Sequence, residues 1–223
     1  KKYFLKSKED ILLNKLFLFL VLFSFPVHAH TFTGMIGFYD GISHPVLGLD
    51  HFLAMVSVGI ISAQIGGPAI WKVPLCFVSI MLIGGIIGIF TEMNQILQVT
   101  NLNEIGQKLS ITEILVLIIE IGILFSVIAL GITIAIEKKL PTTVVMSFVG
   151  LFGFFHGSAH GLEMPWAANP LLFALGFATG TATLHIFGVL IGYFLKQSNI
   201  SKILLKIIGL CFAGIGIYSL INS

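Results

Sequence analysis

Six long apolar segments dominate this sequence and decide what it can fold into. They lie near residues 45–66, 70–90, 111–135, 141–160, 169–194 and 202–221. Each is long enough to cross the roughly 30 Å hydrocarbon core of a bilayer as an α-helix. Charged residues make up only 10% of the chain, against about 25% in soluble domains, which excludes a conventional soluble enzyme, a nucleic-acid-binding protein and a disordered protein. We therefore predict an all-α, polytopic membrane helix bundle with six transmembrane helices.

The start of the chain has the features of a secretory signal peptide. It is rich in lysine, its apolar run 16–25 is too short to span a bilayer, and residues 27–29 (VHA) fit a signal-peptidase site. We predict a cleaved signal peptide over 1–29 and a six-helix transmembrane domain over 30–223. An uncleaved first anchor is the alternative. Cleavage would leave His30 at the mature N-terminus, where its α-amine and imidazole could together chelate a divalent metal ion.

The lysines predict the orientation of the helices. Five lysines lie in or beside the connections on one side of the membrane: Lys72, Lys138, Lys139, Lys196 and Lys202. Only Lys108 lies in the loops on the other side. By the positive-inside rule, the lysine-rich side is cytoplasmic. We expect a multi-pass protein of the bacterial inner membrane whose two mature termini are periplasmic.

Glycines recur at the spacing that lets membrane helices approach closely. Gly153, Gly157 and Gly161 form one GxxxGxxxG stripe on the fourth span, and shorter versions occur on the second and fifth spans. These stripes predict a compact bundle rather than a set of loosely associated anchors.

The first span begins with three polar residues, which are costly inside a bilayer. If residues 45–66 form one continuous helix, His44 and His51 share a face because they are seven residues apart. Asp50 and His51 would then lie about 10 Å deeper than His44. Such groups persist in membranes when they pair with one another or bind something, so His44, Asp50 and His51 are candidate metal ligands.

The fourth span ends with a second polar cluster. His156 and His160 are four residues apart, a spacing at which two imidazoles can chelate one ion, and Glu163 follows on the same face if the helix continues that far. The predicted topology puts this end of the fourth span and the start of the first span on the periplasmic side. We therefore expect the two clusters to converge there.

Three further ionisable residues lie on other spans. Glu113 and Glu120 are seven residues apart on the third span, with Glu120 at about the depth of Asp50. His185 lies deeper, on the fifth span. Together they are weaker candidates for an inward route, and the alternatives are an interfacial role for Glu113 and a helix-packing hydrogen bond for His185.

Imidazole and carboxylate donors suit borderline divalent ions such as nickel, cobalt and zinc. The chain has no nucleotide-binding loop, so we expect no nucleotide, and we expect no prosthetic group. Two functions use these donors: a metal permease, and a membrane-embedded zinc hydrolase in which a glutamate acts as general base. A metal sensor or docking protein is disfavoured because the exported loops are short.

Two motifs resemble the signatures of the HupE/UreJ family, which comprises hydrogenase- and urease-associated nickel permeases with some cobalt-handling relatives. They are HPVLGLDHFLAMVSVG at 44–59 and FHGSAHGLE at 155–163, and ATGTATLH at 178–185 also fits. The resemblance implies metal-binding roles for the polar residues of both motifs and places Glu113 where family members tend to have a glutamate. The assignment of Glu120 rests on helix geometry alone.

The sequence therefore predicts a permease domain that is not an enzyme and that imports a divalent metal ion, with nickel favoured. Cytoplasmic nickel chaperones of hydrogenase or urease are the implied partners. Neutral imidazoles bind metal, so we expect uptake to weaken below about pH 6, where imidazoles protonate.

Overall fold

The computed structural model describes residues 37–98, 105–137, 140–164, 169–197 and 199–222, with the backbone alone for 94–98 and 105–113. The predicted signal peptide, its cleavage site and His30 lie outside the described residues, as does the side chain of Glu113. These assignments therefore stay predictions.

The described part of the chain consists of seven α-helices and contains no strand. The helices are α1 (Phe38–Leu47), α2 (Leu49–Ile65), α3 (Ala69–Gln98), α4 (Ile105–Ile136), α5 (Thr142–Leu162), α6 (Pro170–Leu195) and α7 (Asn199–Asn222). Five of them, α3 to α7, are long and apolar enough to cross a membrane, and α1 and α2 together would make a sixth span. The prediction of a polytopic membrane helix bundle is confirmed.

The first span is not the continuous helix that its sequence predicts. The axes of α1 and α2 meet at an angle of 83°, and Gly48 between them has an extended backbone with φ −74° and ψ 112°. Pro45 lies inside α1 and has no N–H to donate, which weakens the last turns of that helix. The interpretation that placed His44 and His51 on one face of a single helix was therefore wrong, although the two side chains still meet.

Glycines lie where helices cross, as predicted. Along the contact between α3 and α5, a Cβ on Gly157 would collide with the carbonyl oxygen of Met81, and a Cβ on Gly161 with that of Gly85. Gly188 of α6 packs in the same way against Val56 of α2. These backbone-to-backbone contacts set α5 against α3 and bring α6, which carries His185, close to α2, which carries His51.

Polar and apolar side chains are distributed as expected for a protein in lipid. Large apolar residues cover the outer surface, as at Leu171, Leu210 and Ile221, where hydrocarbon rather than water is the solvent. Four histidines are instead buried in the interior: His51, His156, His160 and His185.

Two adjacent glycines of α3 provide a matched test of this packing. A Cβ on Gly84 would collide with the carbonyl oxygen of Phe154, whereas a Cβ on Gly85 would lie 3.5 Å from that of Gly157, an ordinary contact. We expect Gly84→Ala to destabilise the protein by about 1–3 kcal/mol, the usual cost of overpacking, and Gly85→Ala to have little effect. Thermal unfolding in detergent measures both, and equal melting temperatures for the two variants would contradict the close crossing of α3 and α5.

Candidate metal centre

The bend at Gly48 creates a new helix N-terminus directly before the buried His51. Asp50 lies in the first turn of α2, where a carboxylate is favoured by the free backbone N–H groups and the helix dipole. Its Oδ1 accepts hydrogen bonds from the backbone N–H of His51, at 2.9 Å, and from Nδ1 of the same residue, at 2.8 Å. Asp50 therefore fixes the orientation of the His51 ring. Carboxylates hold metal-binding histidines in this way.

His156 is held in the same tautomer by its own helix. Its Nδ1 donates to the carbonyl oxygen of Phe152, one turn earlier in α5, at 2.8 Å. Because a carbonyl or carboxylate oxygen only accepts, the proton of each neutral ring lies on Nδ1, and Nε2 carries a free lone pair. In both His51 and His156 that Nε2 is buried and has no hydrogen-bond partner among the described residues.

His160 lies at the centre of the histidines. Its ring centroid is 4.4 Å from that of His44 and 4.4 Å from that of His51, while the ring of His51 is 4.8 Å from that of His156. His160 is only 1% exposed, and neither of its ring nitrogens has a hydrogen-bond partner in the described part of the chain. The ring of Phe177 packs against it at 4.0 Å.

The outer end of the cluster is open to the surface. Glu163 is the C-cap of α5, one residue beyond the helix end at Leu162. Its Oε2 nevertheless lies 3.4 Å from Nε2 of His44; the Glu163 side chain is exposed and that of His44 is partly exposed. One ligand atom each from His44, His160 and Glu163 can be chosen so that all three lie within 4.8 Å of one another. Ligands about 2.1 Å from a tetrahedral ion are about 3.4 Å apart, so these atoms must approach one another by roughly 1–1.5 Å to form a three-ligand site.

The interior of the bundle therefore contains imidazole nitrogens that make no hydrogen bond in the described structure. Five of them are buried without a partner in the described structure: one each on His51, His156 and His185, and both on His160. Leaving a buried polar group unpaired costs about 1–3 kcal/mol. A metal ion bound among the outer rings could take one lone pair each from His51, His156 and His160.

The remaining predicted residues lie apart from this cluster. His185 is buried deeper, and its Nδ1 donates to the carbonyl oxygen of Met55 at 2.8 Å, so it does join two helices as its packing alternative expected. The side chain of Glu120 is exposed on the outer surface of α4, and no described hydrogen bond or ion pair links it to the histidines. The prediction from sequence concerned only how deep Glu120 lies along the helix. It did not determine in which direction the side chain points around the helix axis.

Two aromatic residues in contact with the histidines were missed by the sequence analysis. Phe77 contacts His156 and His185, at 5.5 and 5.1 Å between ring centroids, and Phe177 packs on His160. Both lie in apolar segments where a phenylalanine is unremarkable, so nothing in the sequence distinguishes them.

Comparison with known proteins places the chain in a family. A family model described as "HupE / UreJ protein" matches residues 18–95 and 91–219. The chain belongs to the HupE/UreJ family. It is 36% identical over 162 residues to Protein HupE of Rhizobium leguminosarum bv. viciae, and the aligned region covers 73% of each chain. No solved structure matches it. The predicted resemblance to the HupE/UreJ family is thus confirmed.

The buried nitrogens without hydrogen bonds should destabilise the protein when no ligand is bound. Replacing such a histidine with an apolar residue should therefore stabilise the ligand-free protein. We expect His160→Leu to raise the melting temperature in detergent by several degrees, because 1 kcal/mol corresponds to about 2–4 °C for a chain of this size. His44→Leu is the control, since His44 is partly exposed and should change stability little. A lower melting temperature for His160→Leu would show that this histidine is a structural element.

Proposed function

We propose that this HupE/UreJ protein is a permease of the bacterial inner membrane that imports a divalent transition metal ion, with nickel favoured. The family is one of transport and accessory proteins rather than of enzymes, and a role in nickel or cobalt transport is what membership implies. The observation that carries the proposal is the row of buried imidazoles with free Nε2 atoms behind an exposed carboxylate.

The proposed route begins at the exposed end of this row. Glu163 and His44 would capture the ion at the surface, and His160 would complete the first coordination site. From there the ion would pass to Nε2 of His51 and then of His156, whose rings succeed one another at 4.4 and 4.8 Å. Because neighbouring rings are this close, each transfer can exchange one ligand for the next without exposing a bare ion to the apolar interior.

Asp50 has a different role in this proposal from the one expected from sequence. Its Oδ1 accepts two hydrogen bonds from His51. We therefore infer that Asp50 orients and polarises His51 and does not itself bind the ion. A positioning carboxylate of this kind typically contributes 10–100-fold in metal affinity.

The donor set also limits the identity of the ion. Nitrogen and carboxylate oxygen donors favour nickel, cobalt or zinc over magnesium and calcium, which prefer oxygen ligands. Of the two cysteines, Cys76 donates to the carbonyl oxygen of Met146 and Cys211 is exposed on α7. The cluster therefore offers no thiolate that would favour softer ions.

The orientation predicted from the lysines puts the open end of the cluster in the periplasm, with both mature termini on that side. The ion would then be released into the cytoplasm, where nickel chaperones of hydrogenase or urease are the proposed recipients. Neither the described residues nor the family comparison supports the zinc hydrolase that the sequence left open, so we propose only the permease.

A matched pair of glutamate variants tests the capture site. We expect Glu163→Gln to weaken nickel uptake into proteoliposomes by at least about tenfold in apparent affinity, because it removes the only charged donor of the three-ligand site in the described residues. Glu137→Gln makes the same change beside Lys206 at the other end of the bundle and should leave uptake unchanged. Competition by cobalt and zinc in the same assay ranks the ions.

Equal uptake by the wild type and Glu163→Gln would remove the capture site from the proposal. Absence of nickel, cobalt and zinc uptake by the wild-type protein would refute the proposed function itself.

The positioning role of Asp50 predicts a graded result. Asp50→Asn keeps an oxygen that accepts from Nδ1 of His51 and should retain most of the uptake, whereas Asp50→Ala should weaken apparent affinity by about 10–100-fold, less than the loss of the ligand itself in His51→Ala. If Asp50 is instead a direct ligand whose charge is essential, the Asn and Ala variants will be equally inactive.

A further inference from the structure

His185 repeats, deeper in the bundle, the arrangement of the outer histidines. It is 1% exposed on α6, and its Nδ1 donates to the carbonyl oxygen of Met55 on α2. Since that oxygen only accepts, the neutral ring presents the lone pair of Nε2. This Nε2 is buried and has no partner in the described structure. A purely structural histidine would need only the first of these two nitrogens.

Phe77 lies between His185 and the outer cluster. Its side chain is completely buried, and its ring centroid is 5.5 Å from that of His156 and 5.1 Å from that of His185. The ring thus fills the gap between the last imidazole of the outer cluster and the inner one. An apolar ring offers no ligand to a metal ion, so an ion can pass this position only if the ring moves.

Two more polar side chains lie one helical turn from His185 and Phe77. Thr179 and Thr183 direct their hydroxyls to carbonyl oxygens one turn back in α6, at 2.7 and 2.8 Å. Thr181, between them, instead directs its hydroxyl across the interface to the sulfur of Met81, at 3.6 Å. Thr181 is one turn from His185 on α6 and Met81 is one turn from Phe77 on α3, in both cases toward the outer cluster, because Phe77 faces Gly153 and Met81 faces Gly157, nearer the Glu163 end of α5. These two residues therefore lie on the outer side of the Phe77 ring.

We propose that His185 forms an inner metal-binding position and that Phe77 closes this position off from the outer cluster. The inference rests on the proposed function and adds a second position and a barrier to the route. Among the described residues the inner position offers one imidazole, which is fewer strong donors than at the outer end. An ion there would be held more weakly, as release toward the cytoplasm requires.

The variant His185→Gln separates a ligand from a structural role. The glutamine amide N–H can still donate to the carbonyl oxygen of Met55, so the link between α6 and α2 is kept, but no imidazole lone pair remains. We expect nickel uptake into proteoliposomes to fall at least about tenfold. Equilibrium nickel binding to the purified full-length protein should stay within about twofold of wild type, because the outer cluster is intact. His44→Gln is the matched control and should weaken binding itself.

Phe77→Ala tests the barrier independently of His185. Removing the ring should raise the initial rate of nickel uptake severalfold and reduce discrimination against competing divalent ions, whereas Phe148→Ala, the same change at a lipid-facing position of α5, should not. Wild-type uptake by His185→Gln would overturn the inner position, and an unchanged or lower rate in Phe77→Ala would overturn the barrier. If the wild-type protein moves no metal ion, the proposed function fails first, and that outcome is visible without any variant.

Discussion

The hydrogen bonds that fix the tautomers of the buried histidines are the interactions on which the site depends. His51, His156 and His185 each donate through Nδ1 to an oxygen that can only accept: a carboxylate in one case and a main-chain carbonyl in the other two. Each bond stabilises the ring and at the same time leaves Nε2 free in a nonpolar interior. The fold therefore buries these nitrogens at a cost in free energy, and a metal ion that binds their lone pairs would remove that cost.

The backbone is arranged to bring these rings together. The bend at Gly48 turns the start of α2 into a helix N-terminus, so that Asp50 can engage His51, while α1 still carries His44 to the same place. The glycines of α5 allow α3 to approach at the distance of main-chain contact, which sets Phe77 against His156. Helix packing through small residues, rather than any loop, therefore positions the functional side chains.

Much of this arrangement could be predicted from the sequence. The spans follow from apolar length, and the convergence of the segments containing His51 and His160 follows from the orientation that the lysines predict. The bend at Gly48 could not be predicted, because glycine and proline are common within membrane helices without breaking them. The roles of Asp50, Phe77 and Glu120 depend on the direction of each side chain around its helix axis. That direction is set by packing against neighbouring helices, which no local pattern records.

The most direct test of the central claim is X-ray absorption spectroscopy of the nickel-loaded, full-length protein. The account predicts a first shell of nitrogen and oxygen about 2.0–2.2 Å from the metal, with the outer-shell scattering of at least two imidazole rings and no sulfur at the high-affinity site. The imidazole scattering should decrease in His160→Gln. A nickel environment without imidazole scattering, or one identical in wild type and His160→Gln, would contradict the assignment of the buried histidines as the metal-binding site.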